Sequence, residues 1–107
     1  MKKLTPIGSF KEGSQVQGFY ICVEKHIRYT KSGDLYIDLE LRDITGNISA
    51  KIWDNISELN SKFEKGDAVA ISGYVESYLE HLQLVIKKIN KATVQYYGRY
   101  GFNPVKI

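Results

Sequence analysis

Between Leu35 and Trp53 the chain alternates apolar and polar positions with one short interruption. Leu35, Ile37, Leu39 and Leu41 fall on one side, and Tyr36, Asp38, Glu40 and Arg42 on the other. After Asp43-Ile44-Thr45-Gly46 the alternation resumes, with Ile48, Ala50 and Ile52 opposed to Asn47, Ser49, Lys51 and Trp53. A period of two predicts a pair of strands with one face on a core. The four-residue break predicts a tight turn in which Gly46 is free to take a positive φ.

The flanking segments read less cleanly. Gln15–Ile27 predicts a long first strand, with Phe19, Ile21 and Val23 on one parity and Tyr20, Cys22, Glu24 and His26 on the other. Taking Phe19, Ile21 and Val23 as the apolar face leaves Val16 out of register, and a bulge or bend at Gly18 would reconcile them. Residues 28–34 predict a polar, flexible hairpin loop. Ile56, Leu59 and Phe63 recur at helical spacing and predict a three-turn helix over Ile56–Lys65. Asn55 and Glu58 have N-cap and N3 character, and Gly66 supplies the stop. Val69, Ile71 and Val75 mark a fourth strand over Asp67–Tyr78. After a turn at Leu79-Glu80-His81, a fifth strand over Leu82–Ile89 alternates Leu82, Leu84 and Ile86 with Gln83, Val85 and Lys87. In the lead-in, Leu4, Ile7 and Phe10 are placed to cover one end of the core.

Three strands, a helix and two strands, in that order, describe a five-stranded all-β OB-fold, a Greek-key barrel with one helix between strands three and four. The helix would plug an open end of the barrel, and the long first strand would pair in both halves. An SH3-like barrel has no helix of this size at this place, and an open ββα-type sheet would leave edges exposed. The expected domain covers residues 1–92, with 93–107 a tail or the start of a linker.

Composition narrows the function classes. At 107 residues there is room for one core. The single cysteine, Cys22, excludes an internal disulfide and Cys-based zinc spacing, and reads as a small, partly buried filler in a reducing, cytoplasmic setting. The N-terminal MKKLTPIGSFKEGSQ lacks the apolar run of a signal peptide, and no stretch is long and apolar enough to span a bilayer. Net charge is +3, divided as +4 over residues 1–33, −6 over 34–80 and +5 over 81–107. Basic ends folded to one side would make an electropositive patch.

The run Lys31-Ser32-Gly33, Tyr36, Leu41, Asp43, Thr45, Gly46, Ile48, Ala50, Ile52, Trp53, Asp54 resembles the N-terminal, tRNA anticodon-binding-like OB domain of YhaM-type 3′–5′ exoribonucleases. Phe63-Glu64-Lys65-Gly66-Asp67, Val69, Gly73, Val75, Leu82-Gln83-Leu84 and Ile86 continue the likeness, which covers residues 10–90. In that family the nuclease is a second, metal-dependent HD domain. Here neither His26 nor His81 is followed by Asp, and no His/Asp cluster stands ready for a metal. The resemblance therefore implies an excised or free-standing binding domain with no catalytic residue, metal or cofactor. Its partners would be single-stranded RNA or DNA, RNA first, and a nuclease domain or a second copy.

OB-folds bind on the face of strands two and three, between the loops joining strands one to two and four to five. That face offers Tyr36, Lys51 and Trp53. The first loop offers Arg28, Tyr29 and Lys31, the second Tyr78 and His81, and Gln83 is expected on the same surface. Rings beside cations suit base stacking and phosphate pairing; Asp38 and Glu40 on the same face would repel phosphate. Tyr96, Tyr97 and Tyr100 of the tail are expected to pack on the barrel exterior or sit in a mobile tail; the alternative is a protein-interaction or oligomerisation module, in which the tail aromatics and strand edges contact another domain or another copy.

Overall fold

The computed structural model describes residues 4–93. Strand β1 (Gln15–Tyr29) is followed by β2 (Leu35–Asp43), β3 (Gly46–Ile52), helix α1 (Ile56–Asn60), β4 (Ala68–Tyr78) and β5 (His81–Lys91). The strands close a barrel in the order β1-β2-β3-β5-β4. All neighbours are antiparallel except β3 and β5, which run parallel. Among the described residues no helix is long and apolar enough to cross a membrane. The tail residues Tyr96, Tyr97 and Tyr100 lie outside the described residues.

Closure depends on β1, which pairs with β4 through Gln15–Ile21 and with β2 through Ile21–Tyr29. The inward parity is the reverse of the one expected. Val16, Tyr20 and Cys22 belong to the barrel core, whereas Ile21 and Val23 are only half-buried and Phe19 is buried on the other side. Val16 is therefore in register, and pairing runs unbroken through Gly18. The irregularity lies between Cys22 and Glu24, where β1 leaves β4 for β2.

Tyr20 is inside because the lead-in gives its polar end a partner. Its hydroxyl donates to the Thr5 carbonyl at 2.6 Å, and its ring meets Phe10 edge-on at 6.2 Å. Gly18 makes room, since a Cβ there would stand 2.6 Å from the Tyr20 hydroxyl oxygen. Ile7 and Phe10 do cover the core, as expected. The lead-in is tied to the β2–β3 turn by Asp43. One carboxylate oxygen accepts from the Ile7 amide at 2.9 Å; the other accepts from the Thr45 amide and hydroxyl at 2.8 and 2.6 Å.

α1 is much shorter than the spacing predicts, and Lys25 shows why. Its ammonium donates to the carbonyls of Asn60 (2.9 Å) and Phe63 (2.6 Å). In a longer helix those carbonyls would accept from the amides four residues on. Instead the Glu64 amide donates to the Asp67 carboxylate at 2.8 Å, and Gly66 lies in the turn leading to β4, donating to the Cys22 carbonyl at 2.7 Å. Asn55 is not a side-chain cap. It is left-handed (φ 57°) and contributes its carbonyl to the Leu59 amide at 2.9 Å. Leu59 and Phe63 still bury into the core, with Ile56 against it.

The β4–β5 pairing shifts between Ser72 and Gly73, where Ser72 faces Lys88 and Gly73 faces Ile86. This slip lets Leu84, Ile86 and Ile89 all point inward. It also brings the chains together closely. A Cβ on Gly73 would lie 2.1 Å from the Val85 carbonyl oxygen.

Candidate nucleic-acid interface

The outer face of β1, β2 and β3 is laid out in rows by the registers. Arg28 stands opposite Tyr36, and Trp53 follows Ile52, the partner of Ile37. One row along, His26 faces Asp38 and Asp38 faces Lys51. In the next row Glu24 faces Glu40, Glu40 faces Ser49, and Ser49 stands beside Gln83. Successive rows are about 7 Å apart, two residues of strand.

The rings of Tyr36 and Trp53 are both on this outer face. They stack on each other, with centroids 4.8 Å apart and planes inclined by 28°. Trp53 keeps 42% of its surface exposed, and Tyr36 is half-buried. The cations next to them are engaged. Asp38 accepts from Arg28 Nε at 2.8 Å and from Lys51 Nζ at 2.9 Å. Lys51 also donates to the Ser49 hydroxyl at 3.0 Å. Partial burial pushes the Asp38 carboxyl up, but the hydrogen bonds and charges of Lys51 and Arg28 outweigh it and hold the group below its ordinary value. Beyond this row a shallow groove of about 420 Å³ is lined by Glu24, His26, Asp38, Glu40, Asn47 and Ser49.

The remaining candidates are dispersed. Arg28 and Tyr29 are not in a loop, because β1 runs to Tyr29. Alternation then turns Tyr29 away from Arg28. It pairs with Leu35 and, 70% exposed, forms an apolar reverse side to the hairpin with Leu35 and Ile27. Lys31 is exposed in a turn closed by the Thr30 amide donating to the Asp34 carbonyl and the Asp34 amide to the Thr30 hydroxyl, at 2.8 and 3.1 Å. That loop is hydrogen-bonded where a flexible one was expected.

Tyr78 and His81 pair across the Leu79-Glu80 turn, both exposed. They sit where β4 ends and β5 begins, hence at the opposite end of the groove from the rings. Gln83 does stand in a row of this face, but it is only 6% exposed and its amide donates to Glu76 at 2.6 Å. It is a packing residue more than an open contact.

Two residues were missed. Lys25 gave no sequence signal, since its partners are carbonyls far along the chain. Lys87 was legible, because the alternation that turns Gln83 outward turns Lys87 outward too. Its ammonium lies 3.5 Å from the Asp54 carboxylate and 5.8 Å from the Tyr74 ring centroid, on the far side of Trp53 from Arg28.

Among solved structures the chain is similar to a domain of replication protein A from Methanococcus maripaludis, at 20% identity over 83% of this chain and 94% of that one, with a TM-score of 0.70. It is similar to asparaginyl-tRNA synthetase from Pyrococcus horikoshii at 19% identity, over 87% of this chain and 23% of the synthetase (TM-score 0.68). A mitochondrial single-stranded DNA binding protein from S. cerevisiae matches at 18% identity, over 78% of this chain and 97% of that one (TM-score 0.57). At these identities the likeness is one of fold. A family model described as an OB-fold nucleic acid binding domain matches residues 21–92, from the residue of β1 that pairs in both halves of the barrel to the end of β5. The chain belongs to that family of OB-fold nucleic acid binding domains.

Proposed function

We propose that this chain is a non-catalytic module that binds single-stranded nucleic acid, RNA ahead of DNA, chiefly by stacking bases on Tyr36 and Trp53. The observation that carries this reading is the stacked, outward-facing ring pair at the hairpin end of the groove. An exposed Trp beside a Tyr loses contact with water when a base covers it, and any base offers a π-face, so the site is tolerant of sequence. The replication protein A heterotrimer bound to single-stranded DNA, 14% identical with a TM-score of 0.60, supports the class of ligand. The resemblance of its motif residues to those of YhaM-type exoribonucleases supports a place as the substrate-binding domain of such an enzyme or a relative of it, in the cytoplasm. Residues 1–92 would be the binding unit and 93–107 the start of a linker.

The test is a fluorescence-anisotropy titration of matched single-stranded RNA and DNA, with Trp53 emission followed in parallel. Tyr36→Ala and Trp53→Ala should each weaken binding by ~1–3 kcal/mol. Unchanged affinity in both variants, with the fold intact, would remove the reading. The exposed apolar reverse side of the hairpin, Ile27, Tyr29 and Leu35, favours a protein-interaction module as the second reading. A stable dimer in sedimentation, without any shift of a labelled oligonucleotide, would favour it.

A further inference from the structure

The ring pair has cations beside it on the sheet, yet two of them, Arg28 and Lys51, share one carboxylate. Arg28 and Lys51 lie on different strands on either side of Asp38, and each reaches a different oxygen of it. The geometry is that of a phosphate between two basic side chains, with the chain's own carboxylate in its place. Lys51 is largely enclosed and Arg28 about half so, which screens these pairs less than fully exposed ones. Asp38 competes with a nucleic-acid backbone for both cations: directly for the Lys51 ammonium, and through its charge for Arg28, whose Nε–H is one of five guanidinium donors. The carboxyl is held ionised by the same contacts, so the competition persists through the neutral range.

We propose that Asp38 sets the ionic character of this interface: it withholds Arg28 and Lys51 from phosphate and leaves a site that grips bases more than backbone. This rests on the binding function proposed above and adds a specificity-determining residue that touches neither base nor ring. Binding by the natural chain is then weakly salt-dependent for an OB domain, because few counterions are released.

Binding of a short single-stranded RNA is measured by anisotropy across a salt series, for the natural chain and for Asp38→Asn, which keeps the shape and removes the charge. Each phosphate newly engaged steepens the dependence of log K on log salt by about 0.7 for single strands. Asp38→Asn should therefore steepen the slope by roughly 0.7 to 1.4 and tighten binding about fivefold or more at low salt. In an Arg28→Gln/Lys51→Gln background most of that gain should disappear, and this pair of variants tests the idea if Asp38→Asn alone folds poorly. Binding by the natural chain with Tyr36 and Trp53 required, but the same slope and affinity in Asp38→Asn, overturns the role of Asp38 and leaves the stacking reading standing. No binding by either protein overturns both.

Discussion

Lys25→Met isolates the contact that ends α1. The side chain is 9% exposed, and its ammonium donates to the Asn60 and Phe63 carbonyls at 2.9 and 2.6 Å and lies 4.2 Å from the centroid of the Phe63 ring. Glu64 is 3.6 Å away but 78% exposed, so it adds little. Two charge-assisted hydrogen bonds contribute ~1.5–3 kcal/mol each, and the ring contact about 0.5–2 kcal/mol. Against this stands the cost of desolvating the ammonium, several kcal/mol in an enclosed site. Methionine keeps the stem volume and escapes that cost, but leaves two carbonyls without their donor. We expect a net loss of about 2–3 kcal/mol, a large fraction of the stability of a small domain.

The assay is urea and thermal unfolding followed by circular dichroism. The urea midpoint should fall with the slope unchanged, and the melting temperature should drop by roughly 10–20 °C. A Lys25→Met protein as stable as the natural one would refute the reasoning. It would mean that the hydrogen bonds only break even against desolvation, and that α1 stops for a reason other than Lys25.

Two further outcomes follow from the same packing. Gly73→Ala forces a Cβ to within 2.1 Å of the Val85 carbonyl oxygen, a backbone atom that cannot swing aside; it should cost ~3 kcal/mol or prevent folding, as read by the urea midpoint. Burial pushes the Cys22 thiol up to about 11, against the pull of Lys25. At pH 8 iodoacetamide should then label it on the order of 100 times more slowly in the native chain than in urea. The sign follows from the raised value. Stability is full below the unfolded thiol value and is lost as pH rises toward 11; Cys22→Ala should reduce that loss in melts across pH, leaving the part that the raised Tyr20 hydroxyl adds at the alkaline end.

The alternation from Leu35 to Trp53 was readable because β2 and β3 are short, regular and covered on one side only. The outward placement of Tyr36 and Trp53 followed from it. The inward parity of β1 was not readable, because Tyr20 is buried on the strength of Thr5 and Phe10, and hydropathy alone does not show that a hydroxyl will find a carbonyl. The extent of α1 was lost for a similar reason. Ile56, Leu59 and Phe63 keep helical spacing, but a lysine on another strand takes the carbonyls that would have carried the helix on. Asp38 was legible as an opponent of phosphate. That it would instead pair with both Arg28 and Lys51 depends on three strands being side by side.

Every strand of the barrel is flanked on both sides, though not along its whole length: β1 from Glu24 to Tyr29 pairs with β2 alone. Among the described residues, strand addition by a peptide or a second copy is therefore confined to short stretches of this kind, which limits the edge-to-edge stacking that starts fibrils.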